Sequence, residues 1–253
     1  MLMKKNIWIT GASSGIGKSL AIKFAEEGWQ VAASARRENL LHDLNKKNSN
    51  IYSFPLDVKD EIKTKEIFQK IIEKFKNIDI CIFCTGIHDP ESEKKISTEK
   101  IREIMETNFF GTVNCVMAVG NHLKEKQHGH ISIVSSVAGY RGLPAASGYC
   151  ASKAALKSLA ESIYFDFKRY NVRVSLVSPG FIKTPMTDKN KFPMPMIKSP
   201  EYAAEKMFIG LTKKNTFEIH FPKSFTIIMK FLRIMPNWMY FLIVGKGIKK
   251  IKY

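Results

Sequence analysis

Carboxylates are scarce in this chain: 23 Asp+Glu stand against 40 Lys+Arg over 253 residues, a formal net charge of +17. Cysteine is scarcer still. The four, at 81, 84, 115 and 150, are too few and too scattered for a disulfide scaffold, and they fit a reducing compartment. Long apolar runs are missing too. The longest uncharged run, Thr107 to Leu123, has 17 residues and carries Asn108, Asn114, Asn121 and His122, so no spanning helix is expected. The start, Met1 to Thr10, lacks the apolar region and small-residue cleavage site of a signal peptide, and a cytoplasmic chain is expected. Arginine supplies seven of the 40 basic residues and lysine 33. Nucleic-acid recognition favours clustered Arg with interleaved aromatics, so no nucleic-acid partner is expected. The six histidines show no ligand spacing, and no metal site is expected.

What is present is a globular composition, 45% hydrophobic and 25% charged, with length enough for a substantial core. Short apolar runs at Asn6–Thr10, Gln30–Ala35, Ile51–Leu56, Ile78–Cys84, His130–Ser135 and Val172–Val177 read as buried strands. Amphipathic stretches lie between them at Gly17–Glu27, Lys59–Lys76, Glu99–His122 and Tyr149–Arg169. Strand–helix–strand connections of this length imply parallel strands with right-handed crossovers, hence an α/β, doubly wound sheet flanked by helices. The segment from Pro185 to Pro195 is proline-broken and polar and reads as a lid or loop. A short helix (Glu201–Leu211) and strand (Thr216–Phe221) complete a domain spanning 1–221, with 222–253 as a basic, apolar, helical extension.

The first strand runs into Thr10-Gly11-Ala12-Ser13-Ser14-Gly15-Ile16-Gly17, followed by a helix. Glycines at such a turn let the backbone approach a pyrophosphate, whose charge is favoured at a helix N-terminus. An NAD-selective site places a carboxylate at the end of strand two; this chain has Arg36 and Arg37, which match a 2′-phosphate in charge and geometry. After strand three, Leu56-Asp57-Val58 offers Asp57 either as a partner for the adenine amine or as a helix cap. Tyr149 and Lys153 stand at i and i+4 on one helix face. An ammonium beside a phenol favours the phenolate, so the Tyr149 pKa is expected to fall towards neutrality and permit general acid–base chemistry. Ser136 ends a strand upstream, where a hydroxyl can hold a substrate carbonyl oxygen.

Together these motifs resemble the short-chain dehydrogenase/reductase family over roughly residues 4–185. The resemblance implies a Rossmann-type fold and oxidoreductase activity with NADP(H) on a small-molecule carbonyl or alcohol. The catalytic set it implies is Asn108, Ser136, Tyr149 and Lys153, with Asn108 anchoring a proton-relaying water and Lys153 also binding ribose. For the cofactor, Gly11, Ser13, Ser14, Gly15, Ile16 and Gly17 form the loop. Arg36 selects NADP beside Arg37, and Asp57 and Val58 stand near the adenine. Gly86, Pro179, Gly180, Ile182 and Thr184 reach the ribose, nicotinamide amide and diphosphate. One departure is visible: members usually carry Asn-Asn-Ala-Gly after strand four, whereas this chain reads Phe83-Cys84-Thr85-Gly86, so the Asn that ties neighbouring strands is replaced by Cys84. The family also implies a homo-oligomer, dimer or tetramer, built through the two long helices.

Cys81 and Cys84 lie three apart on a strand, point to opposite faces, and do not read as a metal or redox pair. The tail 213–253 holds nine Lys+Arg and one acid, Glu218. Its large apolar residues are expected to pack over the cleft or on another subunit, making the substrate site apolar. The alternative is peripheral contact with an anionic membrane through 222–253. Rival functions are a catalytically silent NADP-binding sensor or scaffold, and a peripheral membrane protein acting mainly through its tail.

Overall fold

The computed structural model describes residues 5–93 and 95–249; residues 250–253 of the expected extension lie outside the described residues. Seven strands form one parallel sheet: β1 (Asn6–Thr10), β2 (Gln30–Ser34), β3 (Ile51–Ser53), β4 (Ile80–Phe83), β5 (His130–Val134), β6 (Arg173–Pro179) and β7 (Glu218–Phe221). Their spatial order is β3-β2-β1-β4-β5-β6-β7. In register, Ile7 lies opposite Val31 on β2 and Ile80 on β4. The order reverses between β1 and β4, which opens a crevice beyond their C-terminal ends.

Helices cover both faces. On one lie α1 (Gly15–Glu26), α2 (Glu38–Lys47) and, after β6, a helix at Pro200–Thr212 that meets α1. The other carries α3 (Glu61–Phe75) and two long helices, Gly111–Lys126 and Ser147–Lys168. In chain order the helices between α3 and β5 are α4 (Pro90–Glu93), α5 (Thr98–Met105) and α6 (Gly111–Lys126). Those after β5 are α7 (Ser147–Lys168), α8 (Pro200–Thr212), α9 (Lys223–Ile234) and α10 (Asn237–Lys249).

The period of two along β1 explains how one strand serves two cores. Ile7 and Ile9 join the cluster under α1 and α8, while Trp8 joins the one under α3, stacked on Phe68 at 5.6 Å. In α3 the spacing Ile67, Phe68, Ile71, Phe75 buries one stripe. Asp60 caps its N-terminus by accepting the Lys63 N–H at 2.8 Å. In α8, Ser199 caps likewise, accepting from Tyr202 N at 3.2 Å, with Pro200 in the first turn.

The strands expected from the sequence are all present, three residues shorter at Ile51–Ser53 and at Ile80–Phe83, two shorter at Glu218–Phe221, one shorter at β2 and β5, and running on to Pro179 in β6. Helix α2 is an addition to the expected elements: its buried positions are Leu41 and Leu44 alone, too few for a helical period to stand out. The long helix expected at Glu99–His122 is α5 and α6 joined through a π-helical turn at Glu106–Phe110. The 185–195 segment is irregular apart from a 3₁₀ turn at Thr187–Lys189.

Candidate active site

A cleft of about 460 Å³ opens at the C-terminal edge of the sheet. Every residue named above for the cofactor lines it, as do Ser136, Tyr149 and Lys153. Asn108 is the exception and lies buried behind the wall.

The glycine loop is built for close backbone approach. Gly11 has φ +70°, and a Cβ there would sit 2.9 Å from the Cys84 carbonyl oxygen. A Cβ on Gly17 would lie 2.3 Å from the Gly11 oxygen, so side chains are barred where α1 begins. Ser14 precedes that helix in extended backbone, and no side chain caps the first turn. Its N–H groups therefore remain free to meet an anion. Arg37 forks onto the loop, its guanidinium donating to Ser13 Oγ at 2.8 Å and Ser14 Oγ at 2.7 Å. With Arg36 it makes the mouth cationic at the end of β2. Asp57 is the one carboxylate among the described residues lining the cleft. Its Oδ1 accepts from Lys59 N at 3.1 Å and closes its own turn. Asp60, not Asp57, caps α3. Uncapped N–H groups, a side-chain-free cradle and two guanidinium groups fit a phosphorylated dinucleotide.

Across the cleft, α7 presents Tyr149 and, one turn later, Lys153, on the side facing the end of β5. Tyr149 and Ser136 both line the cleft, and Ser136 is near enough to act on the phenol. Ser136 Oγ accepts the Ala138 N–H at 3.1 Å, which fixes its rotamer at the start of the turn after β5. The Lys153 Nζ lies 5.7 Å from the Tyr149 ring centroid and donates to the Val134 carbonyl at 3.0 Å. Burial pushes the Tyr149 pKa up to about 12, with Ser136 opposing. Burial pushes the Lys153 pKa down to about 8, with Cys84 opposing. This differs from the lowered phenol expected from the pairing alone. The ammonium is directed at a backbone carbonyl rather than at the phenol oxygen, so desolvation decides the phenol.

The π-helical turn places Asn108, whose Oδ1 accepts from Ile87 N at 2.7 Å and whose Nδ2 donates to Ile87 O and Ser152 Oγ, both at 3.0 Å. Asn108 thus staples the strand-four loop to α7. A Cβ added to Gly86 would lie 3.4 Å from Lys153 Nζ and 3.5 Å from Asn108 Oδ1, so these three groups converge. Replacement of the usual Asn by Cys84 leaves the sheet paired: β4 keeps both its ladders, and the Cys84 N–H donates to Thr10 Oγ1 at 3.2 Å. Cys81 packs in the core beneath α3 and α6, whereas Cys84 lines the cleft.

Three neighbours of these side chains carry no clear signal in the sequence. His88 lines the cleft with its ring 4.4 Å from that of Tyr149. Its Nδ1 pairs at 2.7 Å with Glu93, a carboxylate only 3% exposed. The other Glu93 oxygen accepts from Gly148 N at 2.8 Å and Tyr149 N at 3.2 Å, so it caps α7 from a distant segment. An acid and a histidine just after Gly86 are the sole hint of this pair; their contact with α7 is made by tertiary folding. Thr187 is the third, organising the 182–187 loop by donating to Ile182 O at 2.7 Å.

Comparison with known proteins establishes the family. The short chain dehydrogenase family model matches residues 5–216. A Myxococcus xanthus protein named as an uncharacterized oxidoreductase is 32% identical over 90% of this chain and 92% of its own. A Thermotoga maritima 3-oxoacyl-(acyl-carrier-protein) reductase is 33% identical over 72% of this chain and 75% of its own. Among solved structures, a short chain dehydrogenase from Burkholderia cenocepacia in complex with NADP superposes with a TM-score of 0.81 at 25% identity, covering 96% of this chain and 99% of that one. This chain belongs to the short-chain dehydrogenase/reductase family of oxidoreductases.

Proposed function

We propose that the protein is an NADP(H)-dependent oxidoreductase that interconverts a carbonyl and an alcohol on a small molecule; no described residue after Lys189 lines the cleft, so the apolar margin expected from the tail is not formed there. The observation that carries this reading is the meeting of Ser136, Tyr149 and Lys153 at one edge of the sheet, facing the glycine loop across a shared cleft. Arg36 and Arg37, with no carboxylate at the end of β2, support NADP over NAD. The NADP complex of the Burkholderia relative supports it further. When bound, the nicotinamide supplies or accepts the hydride.

The chain's own residues hold the substrate oxygen and manage its proton. Ser136 Oγ donates to the carbonyl oxygen and strengthens as negative charge develops there. Tyr149, whose phenol stays protonated at neutral pH, is suited to donate a proton to the nascent alkoxide. Lys153 binds ribose hydroxyls and keeps a positive charge near the phenol, and Asn108 holds the loop against which this occurs. His88, stacked on the Tyr149 ring, limits how that ring can turn. A homo-oligomer is supported by Met117 and Phe165, which stand exposed on the two long helices.

The test is NADPH oxidation by the purified chain against ketones, aldehydes and oxo-acyl thioesters, with Tyr149→Phe beside the parent. The variant is expected to lose about 10²–10⁴-fold in turnover while retaining NADPH affinity. NADPH binding with no turnover by the parent on any substrate would instead favour a nucleotide sensor.

A further inference from the structure

Helix α9 is apolar on both its faces. The face it turns to the body carries Thr226 and Met229, with half-buried Phe225 and Leu232, against Val137, Tyr140 and Leu143. The face it turns outward carries Ile227, Ile228, Phe231 and Ile234, from 50% to 78% exposed. Helices of soluble proteins direct their apolar stripe inward. Next along the chain, α10 buries Tyr240 and exposes Trp238, Phe241 and Leu242. Of the 15 large apolar side chains exposed among the described residues, eight lie on these two helices, so this is a patch and not scatter.

Both helices are nonetheless firmly seated. Arg141 donates to the carbonyls of Leu232 at 2.9 Å and Met235 and to the Asn237 side chain, and it stacks on Tyr240 at 4.1 Å. The Tyr240 hydroxyl donates to the Gly142 carbonyl. The apolar surface is therefore held outward by the fold.

Charge selects what covers it. From residue 219 onward the sequence has seven Lys+Arg and no Asp or Glu. Glu218, the last acid, is turned inward to Tyr140, Ser178 and Lys230. Lys223 and Arg233 stand exposed on α9 beside the apolar stripe. A second copy laid on this face would set cation against cation, whereas anionic headgroups above a hydrocarbon layer complement both features. No helix among the described residues is long and apolar enough to cross a membrane, so contact would be in the surface plane.

We propose that α9 and α10 dock this protein flat on bilayers containing anionic phospholipid, with Ile227, Phe231, Trp238 and Phe241 entering the interface.

The chain contains its own probe. Of three tryptophans, Trp8 and Trp29 are buried and Trp238 is 66% exposed. The full-length protein is mixed with vesicles of equal parts phosphatidylglycerol and phosphatidylcholine, or of phosphatidylcholine alone. Binding is read by co-sedimentation and Trp238 emission. The expected result is a blue shift and at least about tenfold tighter partition onto the anionic vesicles, weakened by salt and with the shift absent in Trp238→Phe. Phe231→Glu with Phe241→Glu should cut binding at least about tenfold with the melting temperature held. Should that variant misfold, Lys223→Glu with Arg233→Glu tests the same face by removing the anionic preference. Equal binding to both vesicle types, or unchanged binding in the charge-reversal variant, overturns the proposal. So does a vesicle-free oligomer that the Phe231/Phe241 variant converts to monomer, which would make the occupant a second copy.

Discussion

Removing the charge of Lys153 should stabilise the fold while ending catalysis. The side chain is 4% exposed, and burial, with Cys84 opposing, brings its pKa from 10.5 to about 8. That fall corresponds to about 3 kcal/mol of cost for holding the ammonium in the folded state. Lys153→Met keeps the volume and abolishes the charge, but leaves the buried Val134 carbonyl without its 3.0 Å donor, a loss of about 1–3 kcal/mol. The net gain at pH 7 is up to about 2 kcal/mol, or up to roughly 5 °C in melting temperature for a chain of this length. The pH dependence carries the sign. Below pH 8 both folded and unfolded parent hold the proton, and the full cost applies. Between pH 8 and 10.5 the unfolded chain binds more protons than the folded one, so the parent gains stability as pH rises. The advantage of the variant should therefore shrink from pH 7 to pH 10, as measured by thermal or urea unfolding. A variant that melts below the parent at pH 7, or an advantage unchanged at pH 10, would refute the argument.

Other outcomes follow from named contacts. Arg36→Ala with Arg37→Ala should weaken NADPH by about 10–100-fold and NADH far less, by fluorescence titration, because only the former loses charge-assisted bonds to a 2′-phosphate. In Gly17→Ala the new methyl meets the Gly11 oxygen at 2.3 Å; dinucleotide affinity should collapse and the melting temperature drop, since backbone and not a mobile side chain must move. Glu93→Gln should cost about 1–3 kcal/mol in urea unfolding and lower turnover, because the buried carboxylate caps α7 and holds His88 against Tyr149.

Much of the site is legible in the amino-acid sequence, and for a local reason. Glycine loop, Arg pair and the Tyr149–Lys153 spacing are each short segments whose geometry a strand-to-helix turn or one helical turn dictates. Asn108 is legible only through family resemblance, because a helix Asn bonded to backbone is ordinary; the π-helical turn that aims it has no sequence signature. Helix α2, with two buried leucines, is invisible to periodicity.

Where a result depends on groups far apart in the chain, the sequence is silent or misleading. Residue spacing determined that a phenol and an ammonium share a face, and strand patterning that the sheet is parallel with two covered faces. Tertiary structure decided that Lys153 addresses Val134, that burial raises the Tyr149 pKa, and that Glu93 arrives from 55 residues away to cap α7. It also decided that α9 shows its isoleucines to the outside. Backbone periodicity is a property of neighbours along the chain, whereas desolvation and the direction of a helix face exist only once other segments have packed around them.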